Sequence, residues 1–558
     1  MTVLFGSLRD YKPEWLRSDL LAGLTVWAVL VPEALAYASI AGVSPVVGLY
    51  AAPGALLLYA ALGSSRQLVT GPMAATAALS AATVGDLVAQ SSGDQFLAFT
   101  TGLAIAAGVA ALAAGVLRLG FLANFISEPV LKGFIVGLAL TIVIGQVPKL
   151  FGVESGSGDF FESLWGLLGN LGETNVQTLL VGVLSLAVVL GLKRWAPSVP
   201  GSLVAVVLGV AAVAAFGLDG HGVAIVGHVE SGLPSVGTPD LSLSDYGDLA
   251  AGGVGVMLVG FAEGLGAAKN YAARERREID PNRELLGLGG ANLAAGLSGG
   301  MVVNGSLSKT AVNASAGART QLAGVVVAAL TVVTLLALTG LFEDLPEATL
   351  AAIVIAAVIE LVDFPALADL SRVYTRRLGA AYGAAARPDF IAAVAAMFGV
   401  LIFDTLPGLF IGIGVALLLL LYRASRPHVA ELGQSRAGER FDDLDRHPEA
   451  RPVPGVIVLR VESGLFFANA EGVRDRIRAA ASSSGAKAVV LDAESVPFID
   501  VSAARMLDAM AEELARDGLR LLVARDVGQV RDVLGKVSSS GRLELCASVR
   551  EAVARTQP

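Results

Sequence analysis

The chain has 558 residues, 54% of them hydrophobic and only 16% charged, with 40 Lys and Arg against 49 Asp and Glu for a net charge of −9. Soluble domains carry about 25% charged residues and nucleic-acid-binding surfaces are basic, so a soluble enzyme and a nucleic-acid-binding protein are both excluded. The single cysteine, Cys546, can close no internal disulfide, and the four histidines (His221, His228, His428, His447) all fall outside the apolar blocks, which excludes a histidine-based metal or proton-relay site in the membrane.

Residues 1 to about 425 alternate between apolar blocks, each about as long as a bilayer core is thick, and short polar joints. The first block starts near Asp19 behind Arg9, Lys12 and Arg17; it is too long for a signal-peptide core and is expected to remain as the first span. About fourteen blocks follow in order, beginning near Leu20, Val46, Met73, Leu97, Val130, Val176, Leu203, Gly252, Leu285, Ser306, Leu322, Ala348, Phe390 and Leu409. Those near Met73 and Ser306 are short and follow glycine-containing polar sequence. With the N-terminus inside, Arg66, Arg118, Lys193, Arg194, Arg274, Arg276, Arg277, Arg319, Arg372, Arg376, Arg377, Arg423 and Arg426 all follow even-numbered spans, where cytoplasmic loops collect basic residues. The odd loops are acidic (Asp86, Asp94, Glu154, Asp159, Glu162, Glu230, Asp240, Asp245, Glu343, Asp344), with Lys149 the main exception. The expected protein is therefore a multi-pass protein of the cell inner membrane, with its N-terminus and C-terminal domain in the cytoplasm.

Val31-Pro-Glu-Ala-Leu-Ala-Tyr-Ala38 in span 1 aligns with Phe261-Ala-Glu-Gly-Leu-Gly-Ala-Ala268 in span 8, and Gly71-Pro-Met-Ala-Ala-Thr76 aligns with Gly305-Ser-Leu-Ser-Lys-Thr310. The offsets are 230 and 234 residues, close to one period. Seven spans is an odd number, so the second copy runs upside down, the inverted repeat of many secondary transporters. The copies cover about residues 15–217 and 248–424.

Short spans 3 and 10 read as half-helices that start inside the membrane. A helix N-terminus has unpaired N–H groups and roughly half a positive charge, so two facing termini form an anion site without any basic side chain. Segment 305–310 adds the hydroxyls of Ser306, Ser308 and Thr310 and the ammonium of Lys309. Glu33 and Glu263 stand mid-span, where an acidic group is a functional candidate by default. Burial disfavours the ionised form, so either could take up a coupling proton. Tyr37, one turn beyond Glu33, shares its face. Side-chain oxygens are scarce around both acids (Ala34, Ala36, Ala38; Ala267), which favours a proton over sodium. Of the two, Glu33 is the favoured acceptor, because Glu263 is expected to pair with Lys309.

These segments resemble the SulP sulfate-permease and anion-exchanger family, whose vertebrate members include prestin and pendrin. The matching stretches are Val31 to Tyr50, Gly63-Ser-Ser-Arg-Gln-Leu-Val-Thr-Gly-Pro72, Glu278-Ile-Asp-Pro-Asn-Arg-Glu-Leu285, Gly305 to Asn313 and Gly464-Leu-Phe-Phe-Ala-Asn-Ala-Glu471. The resemblance implies a polytopic α-helical membrane fold of fourteen segments in a seven-plus-seven inverted repeat, with a core and a gate domain. It also implies an anion held between spans 3 and 10 and contacted from spans 1 and 8. The candidate contacts are Met73 and Ala74, then Ser306, Leu307, Ser308, Lys309 and Thr310, with Glu33, Tyr37 and Glu263. The family often has arginine where Lys309 stands, and lysine keeps the charge but loses the planar fork.

Beyond the spans, residues 427–451 read as a polar linker and 452–558 as a small α/β domain resembling STAS domains. Strands are expected at Val456–Val461, Lys487–Leu491 and Leu519–Ala524, and amphipathic helices at Glu471–Ala480 and Ser502–Ala515. In anti-sigma factor antagonists the serine at the position held here by Val501 is phosphorylated, so that switch is not expected; Asp500 and Ser502 read as helix-start residues. The functional expectation is a secondary active transporter of small anions of the sulfate, bicarbonate or dicarboxylate class, proton-coupled, working by alternating access without cofactor or metal, as a homodimer in the bilayer. Alternatives are a channel or exchanger of the same fold, a sodium-coupled bicarbonate symporter, or a nucleobase permease, against which the STAS-like domain and the Ser-Leu-Ser-Lys segment argue. No nucleophile–base or metal constellation supports an enzyme.

Overall fold

The computed structural model describes residues 4–9, 11–88, 93–121, 127–154, 158–197, 199–359, 362, 364–372, 387–403, 405–435, 440–483, 485–538 and 541–556. Arg376 and Arg377, used above for topology, lie outside the described residues, as does Arg436 in the expected linker. The chain divides into two compact units, one built from Met1–Arg372 and Asp389–Ala416, the other holding Leu417–Pro558.

The first unit begins with helices α1 (Leu16–Ile40), α2 (Pro45–Leu62), α3 (Ala74–Val88), α4 (Gly93–Val116) and α5 (Glu128–Phe151). Next come α6 (Phe160–Asn170), α7 (Val176–Trp195), α8 (Gly201–Phe216), α9 (Leu243–Arg274) and α10 (Pro281–Leu297). Then follow α11 (Leu307–Ser315), α12 (Leu322–Ala337), α13 (Glu347–Ile359), α14 (Phe364–Arg372), α15 (Pro388–Phe403) and α16 (Thr405–Ala424), whose residues up to Ala416 belong to this unit. Setting aside the short α6 and α14, fourteen helices among the described residues fall on the fourteen apolar blocks, seven in each repeat. Long helices of the sequence alone, such as α5 with 24 residues and α9 with 32, match a bilayer core. By contrast α3 has 15 residues and α11 only 9, as half-helices require.

Packing separates two groups of helices. Helix α10 lies against α2 and α4, α9 against α4, and α12 against α1 and α2. Glycines make the first of these approaches possible: a Cβ at Gly108 would fall 2.7 Å from the Leu293 nitrogen, and one at Gly289 2.8 Å from the Leu112 nitrogen. The second group packs α13 against α5 and α7, and α7 against α8. In α1, Pro32 lies beside Glu33 and has no N–H to offer the Ala28 carbonyl, so the helix ladder is interrupted beside the mid-span acid.

Two buried carboxylates outside the mid-membrane segments fasten loops. Glu284, fully buried in the first turn of α10, accepts from the Tyr59 hydroxyl (2.7 Å), the Ser64 nitrogen and hydroxyl (2.8 and 2.6 Å) and the Ser65 nitrogen (3.0 Å). Asp19, also fully buried, accepts from the nitrogens of Arg319 (2.6 Å) and Thr320 (3.2 Å) and the Thr320 hydroxyl (2.7 Å). These bonds hold the loops that lead into α3 and out of α11.

In the second unit a six-stranded sheet runs β4-β3-β5-β6-β7-β8, where β3 is Val429–Gln434, β4 Phe441–Asp443, β5 Val456–Val461, β6 Ala488–Asp492, β7 Arg520–Ala524 and β8 Glu544–Cys546. Strands β5 to β8 are parallel, and β3 pairs antiparallel with both β4 and β5. One face is covered by α17 (Ala470–Ser483), α18 (Val501–Arg516) and α19 (Gly528–Val537), the other by α20 (Val549–Thr556). The expected linker is corrected here: residues 427–451 supply two strands, because Val429, Ala430 and Leu432 bury against the sheet despite the charge around them. Asp500 caps α18, accepting from the Ala503 nitrogen at 2.8 Å, and also accepts from the Phe467 nitrogen at 2.8 Å.

Candidate anion-binding site

The chain approaches each half-helix as an extended strand. Residues Val69–Gly71 form β1 and Asn304–Ser306 form β2, and the two pair antiparallel with Val69 opposite Ser306, Thr70 opposite Gly305 and Gly71 opposite Asn304. Inside a membrane every backbone N–H and C=O must find a partner within the protein; this ladder pairs the facing edges of both strands, and the Val69 and Gly305 nitrogens donate to the Thr310 hydroxyl and Asn304 Oδ1. It also brings the two half-helix starts together, since α3 begins three residues after β1 and α11 directly after β2.

Small residues permit the approach. A Cβ on Gly305 would lie 2.8 Å from Leu68 Cδ2 and 3.0 Å from the Gly264 Cα, so β2 rests directly on the backbone of α9. The Thr310 hydroxyl accepts from the Val69 nitrogen (3.1 Å), and the Asn313 amide donates to the Gln67 carbonyl (2.9 Å), so α11 also holds the strand of the other repeat. Behind β2, the Asn292 side chain accepts from the Val303 nitrogen and donates to the Val303 carbonyl, both at 2.9 Å.

Ser306 is the N-cap of α11; its hydroxyl accepts from the Lys309 nitrogen at 3.2 Å and stands 3.1 Å from the Ser308 hydroxyl. Ser308 and Leu307 face outward from the protein interior, while Ser306, Lys309 and Thr310 are buried. At the other half-helix Ala74 is buried and Met73 half-buried, with the Met73 carbonyl accepting the first helical bond from the Ala77 nitrogen. The first N–H groups of a helix have no partner inside it, so both termini present donors toward this region.

The charged groups pair differently from the sequence expectation. Lys309 Nζ lies 2.7 Å from Glu33 Oε2, donates to the Pro72 carbonyl at 3.2 Å and sits 5.0 Å from the centroid of the Tyr37 ring. The lysine is 1% exposed. Glu263 is not its partner: its Oε2 accepts from the Asn304 amide at 3.1 Å, and Asn304 Oδ1 in turn accepts from the Gly305 nitrogen at 2.6 Å. The expected Glu263–Lys309 pair is thus corrected to Glu33–Lys309. The reason is geometric, since Lys309 points across the ladder to α1 while α9 meets the strand residue Asn304 instead. With Glu33 committed to an ammonium, the argument that favoured it as proton acceptor is removed. Asn304 and Asn292 were missed by sequence reasoning. Their signal was a lone amide inside an apolar run, which is costly unless bonded. Among the described residues no cluster of three or more His, Cys, Asp or Glu side chains is arranged to hold a metal.

The sulfate permease family model matches residues 16–382 and the STAS domain model residues 447–552. The chain is 37% identical over 536 residues to a probable sulfate transporter of Mycobacterium tuberculosis, covering 95% of this chain and 93% of that one. It is 29% identical to high affinity sulfate transporter 2 of Stylosanthes hamata, covering 99% of this chain and 85% of that one. Its fold is similar to that of murine Solute Carrier 26 family member A9, an anion transporter solved in an inward-facing state, with a TM-score of 0.90 at 22% identity, covering 100% of this chain and 94% of the other. The transmembrane domain of a cyanobacterium bicarbonate transporter, BicA, matches with a TM-score of 0.61 at 24% identity over 72% of this chain and 99% of that one. With two half-helices joined across an inverted repeat and a STAS domain following them in sequence, the chain belongs to the sulfate permease family.

Proposed function

We propose that the protein is a proton-coupled symporter of small oxyanions, with sulfate as its first candidate substrate because its curated relatives are named sulfate transporters. The anion lies between the starts of α3 and α11, near Met73, Ala74, Ser306, Leu307, Ser308, Lys309 and Thr310, and is approached from α1 by Tyr37 and from α9 by Glu263. Alternating access follows from motion of the helices around α9–α10–α4 against those around α5–α7–α13. The N-terminus and the STAS domain are cytoplasmic, the membrane is the cell inner membrane, and the working unit is a homodimer. Residues 427–558 tune transport or assembly and do not touch the anion.

The observation that carries the coupling is the unequal surroundings of the two acids. Glu33 faces the Lys309 ammonium at 2.7 Å, so its carboxyl already has a partner of opposite charge. Among the described residues Glu263 has an amide donor and no ion-pair partner, and the amide belongs to the strand that opens α11. An ionised Glu263 repels an incoming divalent anion, and a protonated one does not. Anion and proton then favour each other's binding, which is symport by linkage.

Uptake of labelled sulfate into proteoliposomes, under an inward proton gradient with sodium present or absent, tests this. Wild-type uptake should follow the proton gradient and ignore sodium, and Glu263→Gln should transport down the sulfate gradient without pH coupling. Sodium-driven uptake indifferent to pH would overturn the reading.

A further inference from the structure

Thr76, Ser80, Thr83 and Asp86 follow one another along α3 at spacings of four, three and three residues, so they share one stripe of the helix. The stripe starts near the anion-facing end of α3 and reaches an exposed carboxylate at Asp86. Thr76 and Ser80 are fully buried, and the hydroxyls of Ser80 and Thr83 make no hydrogen bond among the described residues. Thr100 in α4 is likewise fully buried with an unbonded hydroxyl. It lies seven residues inside the start of α4, the helix that packs on both α3 and α9.

The stripe faces α9. A Cβ on Gly252 would fall against the Thr83 side chain, and one on Gly260 would lie 3.2 Å from the Asn304 side chain. Along α9, then, Gly252 meets the α3 threonine, Gly260 meets Asn304, and Glu263 accepts from the same Asn304. Gly71, the ladder partner of Asn304, stands five residues ahead of Thr76, whose hydroxyl donates to the Met73 carbonyl at 3.3 Å.

We propose that Thr76, Ser80, Thr83 and Thr100 form a hydroxyl-lined proton path from the outer end of α3 at Asp86 to the carboxyl of Glu263. This rests on the reading of Glu263 as the proton acceptor. Two facts favour a path over simple packing. Valine has the shape of threonine and would fill the α3–α9 interface without an unbonded hydroxyl, which is costly to bury. Residues one turn apart on a helix have Cβ atoms about 5–6 Å apart, and the proposed relay uses one bridging water between successive hydroxyls. Each hydroxyl accepts a proton on its oxygen as it releases its own, so the covalent structure is unchanged and the proton ends on a Glu263 carboxylate oxygen. The other charged groups on elements packed against α9 are Asp94 at the start of α4, Arg283 and Glu284 at the start of α10, and Lys309, which is held by Glu33.

The test uses the full-length protein in proteoliposomes, reading sulfate-driven proton influx with an internal pH dye alongside sulfate affinity. Thr83→Val, Ser80→Ala and Thr100→Val should each slow proton influx, the combined variant by at least about tenfold, with sulfate affinity unchanged. Thr83→Ser should restore the wild-type rate. Wild-type proton influx in the combined variant overturns the path. So does a Thr83→Val protein that loses sulfate affinity in step with proton influx, which would make Thr83 a packing residue. A wild type that moves sulfate with no proton influx removes Glu263 as acceptor and the path with it. A coupled wild type with Glu263→Gln uncoupled and the hydroxyl variants unchanged removes the path alone.

Discussion

The Nζ of Lys309 stands 2.7 Å from Oε2 of Glu33, so a helix of the second repeat is joined to one of the first by an ion pair buried from solvent. The same ammonium reaches the Pro72 carbonyl ahead of α3, which ties three of the four elements around the site through one side chain. A buried pair of this kind contributes little net stability when intact but is costly to break on one side.

Lys309→Ala should therefore destabilise the protein by about 3–5 kcal/mol, seen as a lowered thermal unfolding midpoint in detergent. The double variant Lys309→Ala/Glu33→Gln should recover much of that loss, since no charge is left without a partner. A single variant that melts with the wild type would show that the two groups are not paired.

Gly305→Ala tests the contact between the strand pair and α9. Its methyl would meet Leu68 Cδ2 at 2.8 Å and the Gly264 Cα at 3.0 Å, and the latter, as backbone, cannot swing aside. Overpacking of this kind costs about 1–3 kcal/mol, and here it also displaces Asn304 and the start of α11. Sulfate affinity should fall by more than tenfold. Affinity equal to wild type would mean that β2 can shift without moving the site.

The boundary of the C-terminal domain makes a separate test. A fragment starting at residue 427 keeps β3 and β4, whereas one starting at 452 exposes the edge of β5 and loses the buried side chains of Val429, Ala430 and Leu432. Edge strands of this kind promote association. The longer fragment should be monodisperse and melt at a higher temperature than the shorter, as measured by circular dichroism and size-exclusion chromatography. Equal melting would restore 427–451 to the role of a linker.

Cys546 is 3% exposed in β8, and burial raises its thiol pKa above the usual value. Less thiolate is then present at neutral pH than for a free cysteine. The native protein should alkylate slowly with iodoacetamide at pH 7 and rapidly after unfolding in denaturant, as read by intact mass. Fast labelling of the native form would contradict the burial.

Much of this arrangement was legible in the sequence because it depends on spacing. The apolar blocks, the two glycine-led short spans and the 230-residue and 234-residue offsets placed α3 and α11 correctly within the fold. What spacing could not reveal was partner choice. Whether Lys309 meets Glu33 or Glu263 depends on which way a side chain points across the strand ladder, and both acids occupy equivalent repeat positions. The roles of Glu284 and Asp19 were hidden for a related reason. Each bonds backbone groups in a loop more than 200 residues away, and backbone donors leave no mark on residue type. Strands β3 and β4 were hidden by composition, since Glu431, Asp442 and Asp443 mask a short buried pattern.

The pairing of Val69–Gly71 with Asn304–Ser306 also governs how the protein is made. While the first repeat alone has left the ribosome, its short strand carries peptide groups that lipid cannot satisfy. They must wait, hydrated or bonded elsewhere, until more than 230 further residues have been synthesised. The candidate site is thus a late product of translation, closed only when the second repeat arrives to complete the first. Either half expressed alone would insert its helices yet leave this central pair of strands unfinished.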